Sequence, residues 1–131
     1  MCGMKYLGID FGEVRIGLAL SDSGGRMAFP KNILLNRGNA RLAEQMKKLI
    51  SEEHISKIIV GLPLSLDGKE TEESEKARAF GKWLADTTTL PVEFENEIFT
   101  TKMATHPGVV KGKIDAASAA LILQSYLEKH L

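Results

Sequence analysis

The run Lys5-Tyr6-Leu7-Gly8-Ile9-Asp10-Phe11-Gly12-Glu13-Val14-Arg15-Ile16-Gly17-Leu18-Ala19-Leu20-Ser21 carries the topology of this chain in miniature. Lys5 to Asp10 is short, apolar and free of proline, as a buried strand should be. Phe11-Gly12-Glu13 is a turn candidate, because glycine reaches backbone angles that other residues avoid. Val14 to Ser21 reads as a second strand. Ser23-Gly24-Gly25 turns the chain again, and Met27 to Leu35 is a third strand. Pro30 places that third strand at a sheet edge, since proline cannot donate to a ladder. Three strands with tight turns form an antiparallel meander.

Helices and strands alternate from there. Asn39 is positioned to cap a helix. Leu42, Met46, Leu49 and Ile50 recur at helical spacing, with Glu44, Lys47 and Lys48 on the other side. Lys57 to Leu62 is a short buried strand that Pro63 closes. Glu70 to about Asp86 is a second helix with Ala77, Phe80 and Leu84 on its apolar stripe. Val92 to Glu95 alternates, which predicts an edge strand with one wet face. Residues 96–112 read as irregular, and Asp115 to His130 as a strongly apolar final helix. The order β-β-β-α-β-α-β-α predicts an α/β domain, because strands joined through helices cross over in parallel. The expected architecture is a mixed five-stranded sheet with helices on its faces.

Composition narrows the function classes. The chain has 131 residues, 44% hydrophobic and 26% charged. One self-sufficient domain over 1–131 is expected, neither disordered nor fibrous. The nearly apolar stretch Ala116 to Leu123 is far short of the roughly 20 residues that span a bilayer. Cys2 is the only cysteine, so neither an internal disulfide nor a cysteine zinc cluster can form. No signal-peptide pattern precedes the first strand, and a cytoplasmic address is the expectation. Net charge is zero but unevenly spread. Residues 1–48 hold eight basic and four acidic residues, 49–99 five and eleven, and 100–131 four and two. The two ends together can present a basic face to a polyanion.

Asp10 stands at the end of a buried strand, where a carboxylate is costly unless it is paired or bound to a cation. Glu97 follows the fifth strand, and Asp115 opens the last helix. Each has a bland reading as a turn former, a solvated strand end or an N-cap. If the first strand is central, all three converge at the carboxyl end of the parallel strands, where open α/β sheets place their sites. Three such acids make a hard-oxygen site for Mg²⁺ or Mn²⁺, in a two-ion arrangement suited to phosphodiester cleavage. Histidines 54, 106 and 130 show no metal-site spacing, and Trp83 reads as packing.

Four motifs in order resemble the YqgF (RuvX) family. They are Gly8-Ile9-Asp10-Phe11-Gly12 with Arg15-Ile16-Gly17-Leu18-Ala19; Val60-Gly61-Leu62-Pro63-Leu64 with Asp67-Gly68; Glu97 before Thr100-Thr101; and Lys113-Ile114-Asp115-Ala116-Ala117 running into Ala120 to Leu127. The resemblance implies a ribonuclease H-like fold related to the RuvC resolvase. It implies a metal-dependent nuclease acting in 5′-end processing of pre-16S rRNA, or a Holliday-junction resolvase. Asp10, Glu97 and Asp115 would then be the catalytic, metal-binding acids. Arg15 matches the family's arginine and would contact phosphate, with Lys111 and Lys113 as further substrate contacts. The implied partners are nucleic acid, either RNA or branched DNA, and ribosomal precursors, with the chain a monomer or a homodimer and no membrane involved. Asn96-Glu97-Ile98 stands where the family has Asp-Glu-Arg, the segment 98–114 is shorter and less basic, and Ser65 replaces an asparagine. These departures motivate an alternative, a non-catalytic RNA- or ribosome-associated binding module. The Asp10-Phe11-Gly12 turn also resembles the phosphate loop of actin-like ATPases, which need two such domains to enclose ATP.

Overall fold

Strand β1 (Tyr6–Phe11) is buried from Leu7 to Asp10, and it owes this to a position between two neighbours and two helical layers. The structure is a computed structural model that describes residues 4–98 and 116–130. After β1 come β2 (Arg15–Ser21), β3 (Ala28–Leu35), α1 (Asn39–Glu53), β4 (Lys57–Leu64), α2 (Glu72–Thr88), β5 (Val92–Ile98) and α3 (Ala116–Lys129). The sheet order is β3-β2-β1-β4-β5. β1, β2 and β3 are antiparallel, whereas β1, β4 and β5 run parallel. The expected mixed sheet and its element order are therefore both present, and Pro30 does lie on an edge strand.

Strand periodicity sorts the core into two layers. Leu7 and Ile9 face one way, with Ile58, Val60 and Leu62 of β4, and pack on Leu42 and Met46 of α1 and on Ala77, Phe80 and Leu84 of α2. Gly8 and Asp10 face the other way, toward α3. That layer holds Ile59 and Ala19 under Ala119, Ile122, Leu123, Tyr126 and Leu127. Glycine is required where α3 crosses β1. A Cβ on Gly8 would lie 2.7 Å from Leu123 Cβ and 3.1 Å from the Ala119 carbonyl oxygen. Gly8→Val should therefore push α3 off the sheet and lower stability by about 2–3 kcal/mol, the scale of an overpacked core. Urea unfolding measures it, and an unchanged midpoint would contradict this seating of α3.

Local chemistry sets the helix starts. Thr71 caps α2, its Oγ1 accepting from the Ser74 amide at 3.0 Å while Ser74 Oγ accepts from the Thr71 amide at 2.7 Å. Glu72, Glu73 and Glu75 then complement the helix dipole. The start lies two residues later than the sequence pattern suggested. Asn39 does not cap α1. It is the first helical residue, Gly38 holds the cap position at φ 103°, and no side chain bonds the free amides there.

Three other expectations change. Pro63 does not close β4, which runs on to Leu64 with Pro63 opposite Glu97. The pairing of β4 with β1 ends at Val60, so at Pro63 the strand has β5 alone beside it and one amide is dispensable. β5 correspondingly continues past Glu95 to Ile98, and Glu97 is inside the strand. The second face of β5 is wet only at its start: Glu93 is part-exposed, whereas Glu95 and Glu97 are buried. The final helix is described from Ala116, so Asp115, with Lys111, Lys113 and His106, lies outside the described residues. No helix among the described residues is long and apolar enough to cross a membrane.

Candidate active site

Register places the acids. Ile9 pairs with Val60, so Asp10 falls level with Gly61 of β4. Gly61 pairs with Glu95 and Pro63 with Glu97. By the two-residue period of strands, Asp10, Gly61, Glu95 and Glu97 share the face that α3 covers. Asp10 and Glu97 thus flank β4 from either side, at the carboxyl end of the three parallel strands. Both are nearly sealed, at 8% and 7% exposure.

Gly61 makes that approach possible. A Cβ at this position would come within 2.4 Å of Ile122 Cδ1 and 3.1 Å of Glu97 Oε2. The Glu97 carboxyl therefore leans over β4 toward β1, into the space a side chain would fill. Burial has a chemical price there: desolvation alone pushes the Glu97 carboxyl up to about 7. No lysine or arginine among the described residues forms an ion pair with it.

Glu95, two residues earlier on the same face, has a different environment. Its Oε2 accepts from Ser125 Oγ at 2.9 Å and from Lys129 Nζ at 2.6 Å. Two buried carboxylates on one strand thus divide their roles. Glu95 pins the end of α3 to β5, and Glu97 has no ion-pair partner among the described residues. One step further along, Lys57 pairs with Glu93 and also donates to Tyr126 Oη at 3.2 Å, extending the clamp on α3.

Arg15 opens β2. Asp10 pairs with Gly17, so Arg15 is on the same face and at the same end of the sheet. It is exposed, and none of the ion pairs among the described residues involves it. The loop after β4 is a closed turn rather than a phosphate cradle. Ser65 bonds Asp67, the Gly68 amide donates to the Ser65 carbonyl at 2.8 Å, and Gly68 adopts φ +81°. The Ser65 hydroxyl first, and then the Lys69 backbone amide, hold the Asp67 carboxyl below its usual value.

The donor set suits a hard divalent cation. Asp10 and Glu97 offer oxygen ligands, and a cation relieves the desolvation that burial imposes on the Glu97 carboxyl. Asp115, the third expected acid, lies outside the described residues, and the described acids alone form no cluster of three. Sequence reading missed Gly61 as a member of the site and took Glu95 for solvated. The Glu93-Glu95-Glu97 spacing was the available signal, since alternate residues of a strand share one face.

Known proteins resemble this chain over most of its length. A family model described as RuvX, Holliday junction resolvase, matches residues 4–129. A protein of Anaeromyxobacter sp. (strain Fw109-5) named "Putative pre-16S rRNA nuclease" is 36% identical over 133 residues, covering 95% of this chain and 97% of its own. One of the same name from Nitratidesulfovibrio vulgaris is also 36% identical, covering 95% of this chain and 93% of its own. Among solved structures, Thermus thermophilus RuvC in complex with a Holliday junction substrate superposes with a TM-score of 0.59 at 12% identity, over 97% of this chain and 95% of that one. A second Thermus thermophilus RuvC structure gives 0.55 at 14% identity, over 97% and 96%. These likenesses establish the ribonuclease H-like fold.

Proposed function

The chain belongs to the RuvX family, and on that premise we propose that it is a metal-dependent nuclease that hydrolyses phosphodiester bonds in 5′-end processing of pre-16S rRNA. The observation that carries this reading is the Glu97 carboxyl, buried with no ion-pair partner among the described residues and leaning over Gly61 toward the strand that bears Asp10. Such a carboxyl suits a cation and has no evident structural role.

Asp10 and Glu97 would hold Mg²⁺ or Mn²⁺, with Asp115 at the entrance of α3 as the third ligand. The bound ions supply Lewis acidity and neutralise charge on the phosphodiester. The chain itself does the rest. In the free protein burial favours the protonated form of Glu97, and a bound cation would favour its carboxylate. Gly61 and Ile122 keep water from the inner side of the carboxyl. Arg15, exposed at the rim, binds the phosphate next to the reacting one, a charge-assisted contact. Lys111 and Lys113 add backbone contacts that position the strand without reading its sequence. The partner class is nucleic acid, and ribosomal precursor RNA is the proposed member of it.

The test is direct. Purified protein is incubated with a fragment spanning the 5′ flank of pre-16S rRNA, and in parallel with a four-way DNA junction. Mg²⁺, Mn²⁺ or EDTA is present in each series. RNA cleavage with either ion and none in EDTA is the expected result. Junction cleavage with intact RNA would move the substrate to branched DNA. Salt-sensitive RNA binding without cleavage under any condition would make the chain a binding module and overturn the proposal.

A further inference from the structure

A groove of about 380 Å³ lies on the face of the sheet opposite α3, between the β1–β2 turn, the start of α1, and α2. Its volume is within the roughly 300–1,000 Å³ of small-molecule sites. Its walls combine two kinds of chemistry. One is a run of aromatic rings: Phe11 stacks on Phe80 at 4.4 Å between centroids, and Phe80 on Trp83 at 5.7 Å. Phe80 is 7% exposed and belongs to the core, but Trp83 is only half-buried and borders the groove. The other is a pair of amides, Asn36 and Asn39. Asn36 is held in place by its backbone amide, which donates to the Val14 carbonyl at 2.8 Å, and by its Oδ1, which accepts from Gly38. Its Nδ2, and the whole Asn39 amide, have no hydrogen-bond partner among the described residues.

The charges beside the groove are arranged for an anion. α1 starts with no acidic residue in its first turn and no side-chain cap, so its free amides point outward. Arg37 and Arg41 sit next to the lining residues, exposed, and none of the ion pairs among the described residues involves either. Glu13, the acid among the lining residues, pairs with Lys76, which also feels Glu72 and Glu73 from the first turn of α2. Position completes the picture. Phe11 follows Asp10 directly in β1 and points to the opposite face. The groove therefore opens at the same end of the sheet as the candidate active site, with only the β1–β2 turn between them.

Resting on the nuclease reading, we propose that this groove holds one unpaired nucleotide of the RNA strand, its base against Trp83 and Phe80 and its phosphate at the start of α1. Aromatic side chains stack any base, and the two amides can bond a base edge that pairing would otherwise hide. A strand whose scissile phosphate lies at Asp10 would pass over residues 12–14 and place a flanking nucleotide here. The enzyme would then prefer cuts beside unpaired RNA.

Trp83 is the only tryptophan, so its fluorescence reports on the groove alone. Wild type and Ala79→Glu are titrated with a single-stranded RNA octamer in EDTA. A blunt RNA duplex of the same length and AMP are titrated in parallel. Ala79 lines the groove from an exposed helical position, where glutamate is well tolerated. The single strand should quench Trp83, with the duplex and AMP each needing at least about tenfold higher concentration, the scale of one lost stacking contact. Ala79→Glu should shift the single-strand midpoint about tenfold or more, and Arg37→Glu with Arg41→Glu should do so as well. Equal quenching by duplex and single strand, or an unmoved midpoint in both sets of variants, would overturn the proposal. Saturation by AMP at the octamer's concentration would assign the groove to a free nucleotide and also overturn it. Metal-dependent cleavage without a Trp83 response removes the groove and leaves the nuclease intact. A Trp83 response without cleavage supports the groove and removes the nuclease reading.

Discussion

Asp10→Asn is expected to lower metal-dependent cleavage of the pre-16S fragment by at least about 10³-fold while leaving the fold unchanged. The substitution keeps the shape of the side chain and removes its charge. A hard divalent cation depends on anionic oxygen ligands, and a correctly held ion contributes several kcal/mol to stabilising a phosphodiester transition state. Each 1.36 kcal/mol lost is a factor of ten in rate, so several such losses give three decades. The backbone at residue 10 is fixed independently of the charge. It sits in the central strand, paired with Gly17 on one side and beside the β4 ladder on the other. Leu7 and Ile9, fully buried, anchor the same strand in the opposite layer. Single-turnover kinetics at saturating Mg²⁺ give the rate, and urea unfolding checks the fold. A variant rate within tenfold of wild type would remove Asp10 from the reacting centre.

The parts of the molecule that were legible in the sequence share a cause. Leu7, Ile9, Leu18, Ile58 and Val60 lie in apolar runs whose burial does not depend on which distant element covers them, and each is buried. Ala77, Phe80 and Leu84 mark α2 by helical spacing, and they pack as that spacing requires. The illegible parts depend on partners far away in the chain. Glu95 alternates with Phe94 as a solvent-facing residue would, yet Ser125 and Lys129 of α3 reach over and bury it. Pro63 breaks most strands, but here one neighbour is already missing and the strand continues. That continuation brings Glu97 inside the sheet. Asn39 has the chemistry of a cap, but Gly38 reaches the positive φ at that position and takes it. Gly61 was read as one more residue of the buried strand Lys57 to Leu62, because only the path of α3 shows why a side chain is excluded there. Motif and spacing thus sufficed to put Asp10 and Glu97 at one end of the sheet, while the burial that strains Glu97 was not legible.

Glu97→Gln is expected to make the metal-free protein more stable at pH 8 and to abolish cleavage. The ordinary carboxyl value is 4.5, and burial carries Glu97 to about 7, so its ionised form is disfavoured in the folded state by about 3 kcal/mol. The folded value is raised, so this group contributes its full stability below about 4.5, where both states hold the proton. Between about 4.5 and 7 the unfolded chain releases the proton and the folded chain keeps it, so stability falls as pH rises. Above about 7 the whole cost is present. Glutamine does not titrate, so the variant lacks this decline. Its advantage should be largest at pH 8 and mostly gone by pH 5. Divalent cations should reverse the order, because an ion bound only by the folded state adds stability that grows with the logarithm of its concentration above the dissociation constant. At pH 8, Mg²⁺ should raise the unfolding midpoint of the wild type and leave that of Glu97→Gln nearly unchanged. Urea titrations at the two pH values, with EDTA or Mg²⁺, separate these terms. Parallel pH profiles for the two proteins in EDTA would show that Glu97 is not strained. A Mg²⁺ response equal in both would show that it is not a ligand. If both expectations hold, the same buried charge that weakens the empty fold is what draws the cation into it, a local loss of stability retained for function.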